Sequence, residues 1–234
     1  MMNDKNQRDF VNDFSKAGIH LPAAIIFDMD GTLVATTEAD FLAWQRIFAD
    51  AGRQLSFEDY FPLLGKKSHD VVYHVLHLEG ESAENALNAK MRYFEEIVSE
   101  KGISLMPNAE ILLKKLKSLG IPLALATSSR KLKMELVLEE VGLLEYFDVL
   151  VSGEDVKKGK PSPDIFLLAA EKLNVEPGHC IVVEDAVSGV KAAKDAGMKC
   201  IAVTNTHNAE DLTIADMVIS DFSELSLPVI SSLF

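Results

Sequence analysis

The sequence predicts an α/β protein: a mostly parallel sheet covered by helices on both faces, with an all-helical insertion after the first strand. Three observations carry this. Apolar runs of strand length recur along the chain, and each ends at polar or turn-forming residues. Helical patterns separate the runs, and strands alternating with helices through short loops build βαβ units around a sheet buried on both faces. From about residue 38 to 104 the alternation stops and only helical periodicity remains.

The first strand is AAIIF (23–27), continuously apolar as a doubly covered strand must be. PLALA (122–126), DVLVS (148–152), HCIVVE (179–184), KCIAVT (199–204) and DMVIS (216–220) repeat the type. Between them the spacing predicts helices over 109–119, 132–141, 163–173 and 187–196, with Gly120, Gly142 and Gly197 as stops. The insertion holds four helical segments, DFLAWQRIFADAG, SFEDYFPLLG, SHDVVYHVLHLEG and SAENALNAKMRYFEEIVSEKG, with apolar residues recurring at three and four. The expected domains are therefore a core of residues 1–36 and 105–234 and a helical domain of residues 37–104. Phe41, Trp44 and Phe48 are spaced as a core stripe of the latter. Ahead of the first strand, Phe10, Val11 and Phe14 suggest one amphipathic turn packed on the main body.

Composition restricts the partners. The 234 residues carry 23 Lys and Arg against 36 Asp and Glu, a net charge of −13, which argues against nucleic acid and anionic membranes. No apolar stretch approaches a membrane span, and the N-terminal residues lack the apolar core of a secretory signal. Cys180 and Cys200 lie in strand-like runs without metal-ligand spacing, as buried thiols of a reducing compartment do, so a cytoplasmic protein is expected. A monomer is the default for this size.

In open α/β sheets the ligand crevice lies beyond the carboxyl ends of the strands. The residues that follow the strands are Asp28 and Asp30, then Thr127, Ser128 and Ser129, then Lys160, then Glu184 and Asp185. Clustered carboxylates without nearby Cys or His suit a hard cation, with Mg²⁺ the usual occupant where phosphate also binds. A phosphoryl group in transfer calls for a metal, a lysine, hydroxyls and free backbone N–H groups around its oxygens. With its charge offset, Asp28 can attack phosphorus, and Asp30 can protonate the leaving oxygen and later deprotonate water. Acid work near neutral pH requires Asp30 to hold its proton above the ordinary carboxylate value near 4.

FDMDGTLV (27–34), ATSS (126–129), KGKPSPDIF (158–166) and VVEDAVSGV (182–190), in that order, resemble the four motifs of the haloacid dehalogenase (HAD) superfamily. The resemblance implies a Rossmann-like core with a helical cap inserted after the first motif, as in the β-phosphoglucomutase and phosphoglycolate phosphatase branch. It implies Asp28 as nucleophile, Asp30 as acid/base, Thr127 and Lys160 as phosphate holders, and Asp28, the Asp30 carbonyl, Glu184 and Asp185 around Mg²⁺. Ala35 stands where an Asp is common, and Asp40 stands where the mutases and many phosphatases carry a histidine; in the mutase that histidine belongs to the machinery that keeps the phospho-aspartate from reacting with water. GKKSHD (65–70) resembles the mutase's cap segment, with Ser68 at its phosphate-gripping arginine, so Lys66 or Lys67 could compensate. Arg130 resembles a second ligand of the distal phosphate.

The function expected is a Mg²⁺-dependent phosphatase of a small phosphorylated metabolite such as a sugar phosphate, acting through an aspartyl-phosphate. β-Phosphoglucomutase and inorganic pyrophosphatase are the enzyme alternatives, and a phosphate-binding module on the same fold is the non-enzymatic one. Candidate substrate contacts are Asp40, Lys66, Ser128, Ser129 and Arg130, with N-capping of the first cap helix an alternative for Asp40. Thr127 could also be read as an N-cap. His69, His74 and His77 fall at helical spacing but read as surface and core histidines rather than a metal site.

Overall fold

A computed structural model describes residues 20–234. The turn expected at Phe10, Val11 and Phe14 lies outside the described residues. Six parallel strands, β1 (Ala24–Phe27), β2 (Leu123–Ala126), β3 (Val149–Val151), β4 (Cys180–Glu184), β5 (Lys199–Val203) and β6 (Met217–Ile219), form one sheet in the order β3-β2-β1-β4-β5-β6. This is the doubly wound parallel architecture that the alternation predicts.

Alternation along β1 feeds both faces of the sheet. Ile25 and Phe27 join one buried cluster, with Leu113, Leu116, Val137 and Phe222, while Ala24 and Ile26 join the other, with Phe166, Ala169, Val190 and Ala193. Helices α5 (Ala109–Ser118) and α6 (Lys131–Glu140) supply the first cluster, and α7 (Asp164–Leu173) and α8 (Val187–Asp195) the second. All four β1 residues are buried, which is why no polar residue interrupts AIIF. A shift of one residue would exchange the faces and break both clusters. Cys180 and Cys200 are buried free thiols in β4 and β5, and burial pushes the Cys180 thiol up to about 11. A short helix, Leu227–Ser231, closes the chain.

Between β1 and α5 lie four helices: α1 (Thr37–Asp50), α2 (Phe57–Tyr60), α3 (Ser68–His74) and α4 (Gly80–Lys101). Trp44, Ile47, Phe48, Tyr60, Val72 and Leu87 form a cluster belonging to this layer alone. Farther along α4, Met91, Phe94, Ile97 and Val98 join the cluster on the sheet, as do Ala39 and Ala43 of α1, so two helices tie the layer to the core. The chain enters and leaves the layer through paired segments: the Ala35 N–H donates to the Ser104 carbonyl at 2.9 Å and the Met106 N–H to the Leu33 carbonyl at 2.8 Å. His69, His74 and His77 are all exposed, so none is a core histidine.

Candidate active site

The strand order reverses at β1: the chain runs outward through β2 and β3 on one side and β4, β5 and β6 on the other. Residues after β1, β2 and β4 therefore meet at one crevice. Asp28 continues β1 by donating its N–H to the Val183 carbonyl at 3.0 Å. The chain then turns tightly, with the Gly31 N–H donating to the Val34 carbonyl at 2.9 Å. Gly31 sits at φ +82°, and a Cβ there would fall on the Asp185 carboxylate, so the glycine of FDMDGT answers both to backbone and to space.

Lys160 is buried beneath this crevice. Its ammonium donates to Asp28 Oδ1 at 2.6 Å, Glu184 Oε1 at 2.7 Å and the Ala126 carbonyl at 3.2 Å. Burial opposes the charge, but the two carboxylates outweigh it and hold the ammonium above its ordinary value. Burial pushes the Asp28 carboxyl well up; Lys160 pulls against it, while Glu184, Asp185 and Asp30 add to the rise. Glu184 Oε2 accepts the Asp185 and Ala186 N–H groups, each at 2.8 Å. Asp185 accepts from Thr32 at 2.6 Å and Thr206 at 2.5 Å; burial and Glu184 nevertheless lift it to about 7.

Asp28, Glu184 and Asp185 each offer an oxygen within 4.8 Å of the others, and all three are buried. Oxygen-only donors and an excess of buried negative charge fit a small hard divalent cation. This set contains three of the four residues expected around Mg²⁺; Asp30, expected through its carbonyl, lies two residues beyond Asp28.

The Asp30 side chain has different partners. Oδ1 accepts from Thr36 at 2.6 Å and lies 2.7 Å from the Lys133 ammonium, while Oδ2 accepts from Thr127 at 3.1 Å and Ser129 at 2.7 Å. Burial favours the neutral acid here, but Lys133 and the hydroxyls prevail and hold the carboxyl below its ordinary value. This corrects the expectation of a raised Asp30: the sequence shows the carboxylates but not the buried lysine facing one of them. Thr127 does not cap α6, since its hydroxyl donates to Asp30 and Arg130 occupies the N-cap position.

Asp40 is likewise no N-cap. Thr36 occupies that position for α1, and Asp40 accepts from Lys90 at 2.5 Å, Lys133 at 2.7 Å and Tyr60 at 3.0 Å. Burial would raise its carboxyl, but the two ammoniums hold it far below the usual range.

A cavity of about 50 Å³ joins these groups, lined by Asp28, Asp30, Asp40, Thr127, Ser128, Ser129, Glu184 and Asp185 from the expected set. Lys66 reaches its wall from an exposed position, whereas the Lys67 ammonium donates to the Val156 carbonyl at 2.9 Å. The Ser128 hydroxyl lies buried without a protein partner. Arg130 does not line this cavity: its guanidinium bonds Glu154 at 2.8 Å and Asn88 at 3.2 Å and faces a separate groove.

Sequence reasoning passed over Lys90, Lys133 and Tyr60. The signal lay in the periodicity: Lys90 interrupts the buried row Leu87, Met91, Phe94, and Lys133 lies one turn before Val137 on the buried side of α6.

Residues 25–203 match the haloacid dehalogenase-like hydrolases, and the chain belongs to this family. It is an enzyme of the family's phosphatase and phosphotransferase type. It is 34% identical to validoxylamine A 7′-phosphate phosphatase of Streptomyces hygroscopicus subsp. limoneus over 87% of this chain and 95% of that one. With β-phosphoglucomutase of Bacillus subtilis it shares 31% identity over 88% of this chain and 93% of the relative. Among solved structures, CbbY from Rhodobacter sphaeroides in complex with phosphate superposes with a TM-score of 0.80 at 31% identity, covering 88% of this chain and 97% of that one.

Proposed function

We propose that the protein is a Mg²⁺-dependent phosphatase of a small phosphorylated carbohydrate, acting through an aspartyl-phosphate on Asp28. The observation that carries this reading is two carboxylates, two residues apart, on the wall of one cavity but held by different lysines: Asp28 by Lys160 and Asp30 by Lys133. The relatives' names, a sugar-like phosphate phosphatase and a sugar phosphate mutase, support a carbohydrate ester.

The residues divide the work by their surroundings. Lys160 fixes one Asp28 oxygen at 2.6 Å and leaves the other for phosphorus. Thr127, Ser129 and Thr36 hold the Asp30 carboxylate at the cavity wall; charged beside Lys133 in the free enzyme, it takes up a proton from solvent when a phosphate dianion binds beside it, delivers that proton to the leaving oxygen and then takes one from the attacking water. Phosphoryl oxygens are met by the Ser128 hydroxyl, which has no protein partner, and by the Met29 and Asp30 N–H groups of the turn after Asp28, while Thr127 and Lys160 join them by exchanging a present acceptor, Asp30 or the Ala126 carbonyl, for the phosphate. Asp28, the Asp30 carbonyl, Glu184 and Asp185 would hold Mg²⁺, which when bound offsets carboxylate repulsion and the charge on the transferred group.

Residues 37–104 then act as a cap over the sheet and its flanking helices. Lifting of this layer would admit substrate, and its closing would exclude water from the reacting groups. The closed seam is held by Lys67 on the Val156 carbonyl at 2.9 Å, by Arg130 on Asn88 at 3.2 Å and by Phe61 against the His207 ring at 4.6 Å between centroids.

The test is phosphate release from a panel of phosphate esters and pyrophosphate with Mg²⁺, with isomerisation of β-glucose 1-phosphate followed separately. Wild type is expected to release phosphate from a carbohydrate ester, and Asp28→Asn to release none while keeping its fold. Near wild-type turnover by Asp28→Asn would refute the nucleophile.

A further inference from the structure

Lys90 and Lys133 are 5% and 4% exposed, on the buried sides of helices where apolar residues would pack. Placing two ammoniums there is costly unless they are paired. Both converge on Asp40 Oδ1, Lys133 from the core helix α6 and Lys90 from α4 in the helical layer, while Tyr60 takes Oδ2. Lys90 lies 5.3 Å from the Trp44 ring centroid, and Asp40, Trp44, Tyr60, Lys90 and Lys133 all line the cavity beside Asp30.

Charge on that wall limits what can bind there. Asp28, Asp30, Asp40, Glu184 and Asp185 face Lys66, Lys90 and Lys133, with Lys160 behind. Lys160 is committed to Asp28 and Glu184, Lys133 to Asp30 and Asp40, and Lys90 to Asp40. Arg130, the guanidinium near this seam, is neutralised by Glu154 outside the cavity. A second phosphate entering beyond Asp30 would meet the Asp40 carboxylate, and the one lining cation outside the described ion pairs is Lys66, which is exposed and solvated rather than buried against that place. A hydroxyl is suited to the same place. Each ammonium has three N–H donors, of which Lys90 spends one and Lys133 two in the structure, and the Asp40 oxygens have lone pairs to spare.

We infer that Asp40, Lys90 and Lys133, with Tyr60 and Trp44, seat the uncharged polyhydroxylated body of the substrate, and that the enzyme selects monophosphates of carbohydrates over bisphosphates. Asp40 accepts from a substrate hydroxyl, the spare ammonium protons donate to hydroxyl oxygens, and the Trp44 ring covers C–H surface. Lys133, bonded to Asp30 and Asp40 together, is a positioning residue that registers this body against the acid/base. The inference rests on the phosphatase reading.

The experiment measures kcat/KM by phosphate release for hexose and pentose monophosphates, the matching bisphosphates, and p-nitrophenyl phosphate, whose body lacks hydroxyls. Wild type and Lys90→Met are compared, since Lys90 touches Asp40 but neither Asp28 nor Asp30. The best monophosphate is expected to exceed its bisphosphate by about tenfold or more, the worth of one charge-assisted hydrogen bond. Lys90→Met is expected to raise KM for that monophosphate about tenfold and for p-nitrophenyl phosphate less than about twofold. If Lys90→Met does not fold, Tyr60→Phe gives the same comparison with both ammonium contacts intact. A bisphosphate used as well as or better than its monophosphate, or equal losses on both ester types, overturns the inference alone. A folded wild type inactive on every ester overturns the phosphatase reading and this inference with it.

Discussion

Lys133→Met removes an ammonium and keeps most of the aliphatic stem, so it isolates the charge from the packing against Phe94. In the native protein that ammonium lies 2.7 Å from both Asp30 Oδ1 and Asp40 Oδ1, with its side chain 5% exposed. Breaking a buried ion pair from one side costs about 3–5 kcal/mol. The lower end applies, because Asp40 keeps Lys90 and Tyr60 while Asp30 keeps three hydroxyls. A loss of about 3 kcal/mol lowers the melting temperature of a chain this size by about 6–12 °C. Urea and thermal unfolding followed by circular dichroism measure it at several pH values.

The pH dependence has a defined sign. Asp30 and Asp40 sit below their ordinary value of 3.8 in the fold, so the stability they lend is fully present above that value and is lost as pH falls through the depressed values. Lys133 sits above its ordinary 10.5, so its contribution is complete below that value and is lost as pH rises through the raised one. The deficit of the Met variant is therefore flat between those limits and shrinks in acid. A variant within about 0.5 kcal/mol of wild type at neutral pH would refute the buried network. So would a deficit that persists unchanged in acid.

Asp30→Asn is expected to slow both formation and hydrolysis of the phospho-enzyme by about 10²–10⁴, measured by rapid quench; an effect on one half-reaction only would limit Asp30 to one proton transfer. Chelation by excess EDTA is expected to silence turnover and added Mg²⁺ to restore it, and full activity in EDTA would remove the metal from the mechanism. In Gly189→Ala the new Cβ falls on the Glu184 carboxylate, so a change that ordinarily helps a helix by about 1 kcal/mol is expected to destabilise this protein, read by urea unfolding. A more stable Ala variant would show that Glu184 can move without loss.

The fold was legible because β1 must be apolar at every position to serve both clusters, and runs of the same type recur between helical patterns along the chain. The helical layer was legible from spacing, although α4 begins at Gly80, two residues ahead of the segment expected from Ser82. Asp28, Thr127, Lys160 and Glu184 could be read from position alone, since each follows or ends a strand or lies in a loop at that edge of the sheet. Lys90 and Lys133 could not, because a lysine on a helix is ordinarily solvated and its burial depends on which distant carboxylate faces it. The state of Asp30 was hidden for the same reason: the group that holds it charged lies over a hundred residues away. Arg130 was misleading in the same manner, its direction being set by Glu154 in another loop.

Thr36 stands where the paired segments of the layer meet the turn after β1, and its hydroxyl serves Asp30 instead of the helix it precedes. Because Ala35 and Met106 tie the two segments by backbone hydrogen bonds, neither can swing alone. Thr36 thereby joins the entry to the helical layer to the carboxylate that follows β1. A substitution at Thr36 therefore bears on two things at once, the entry to α1 and the hydroxyl bond to Asp30.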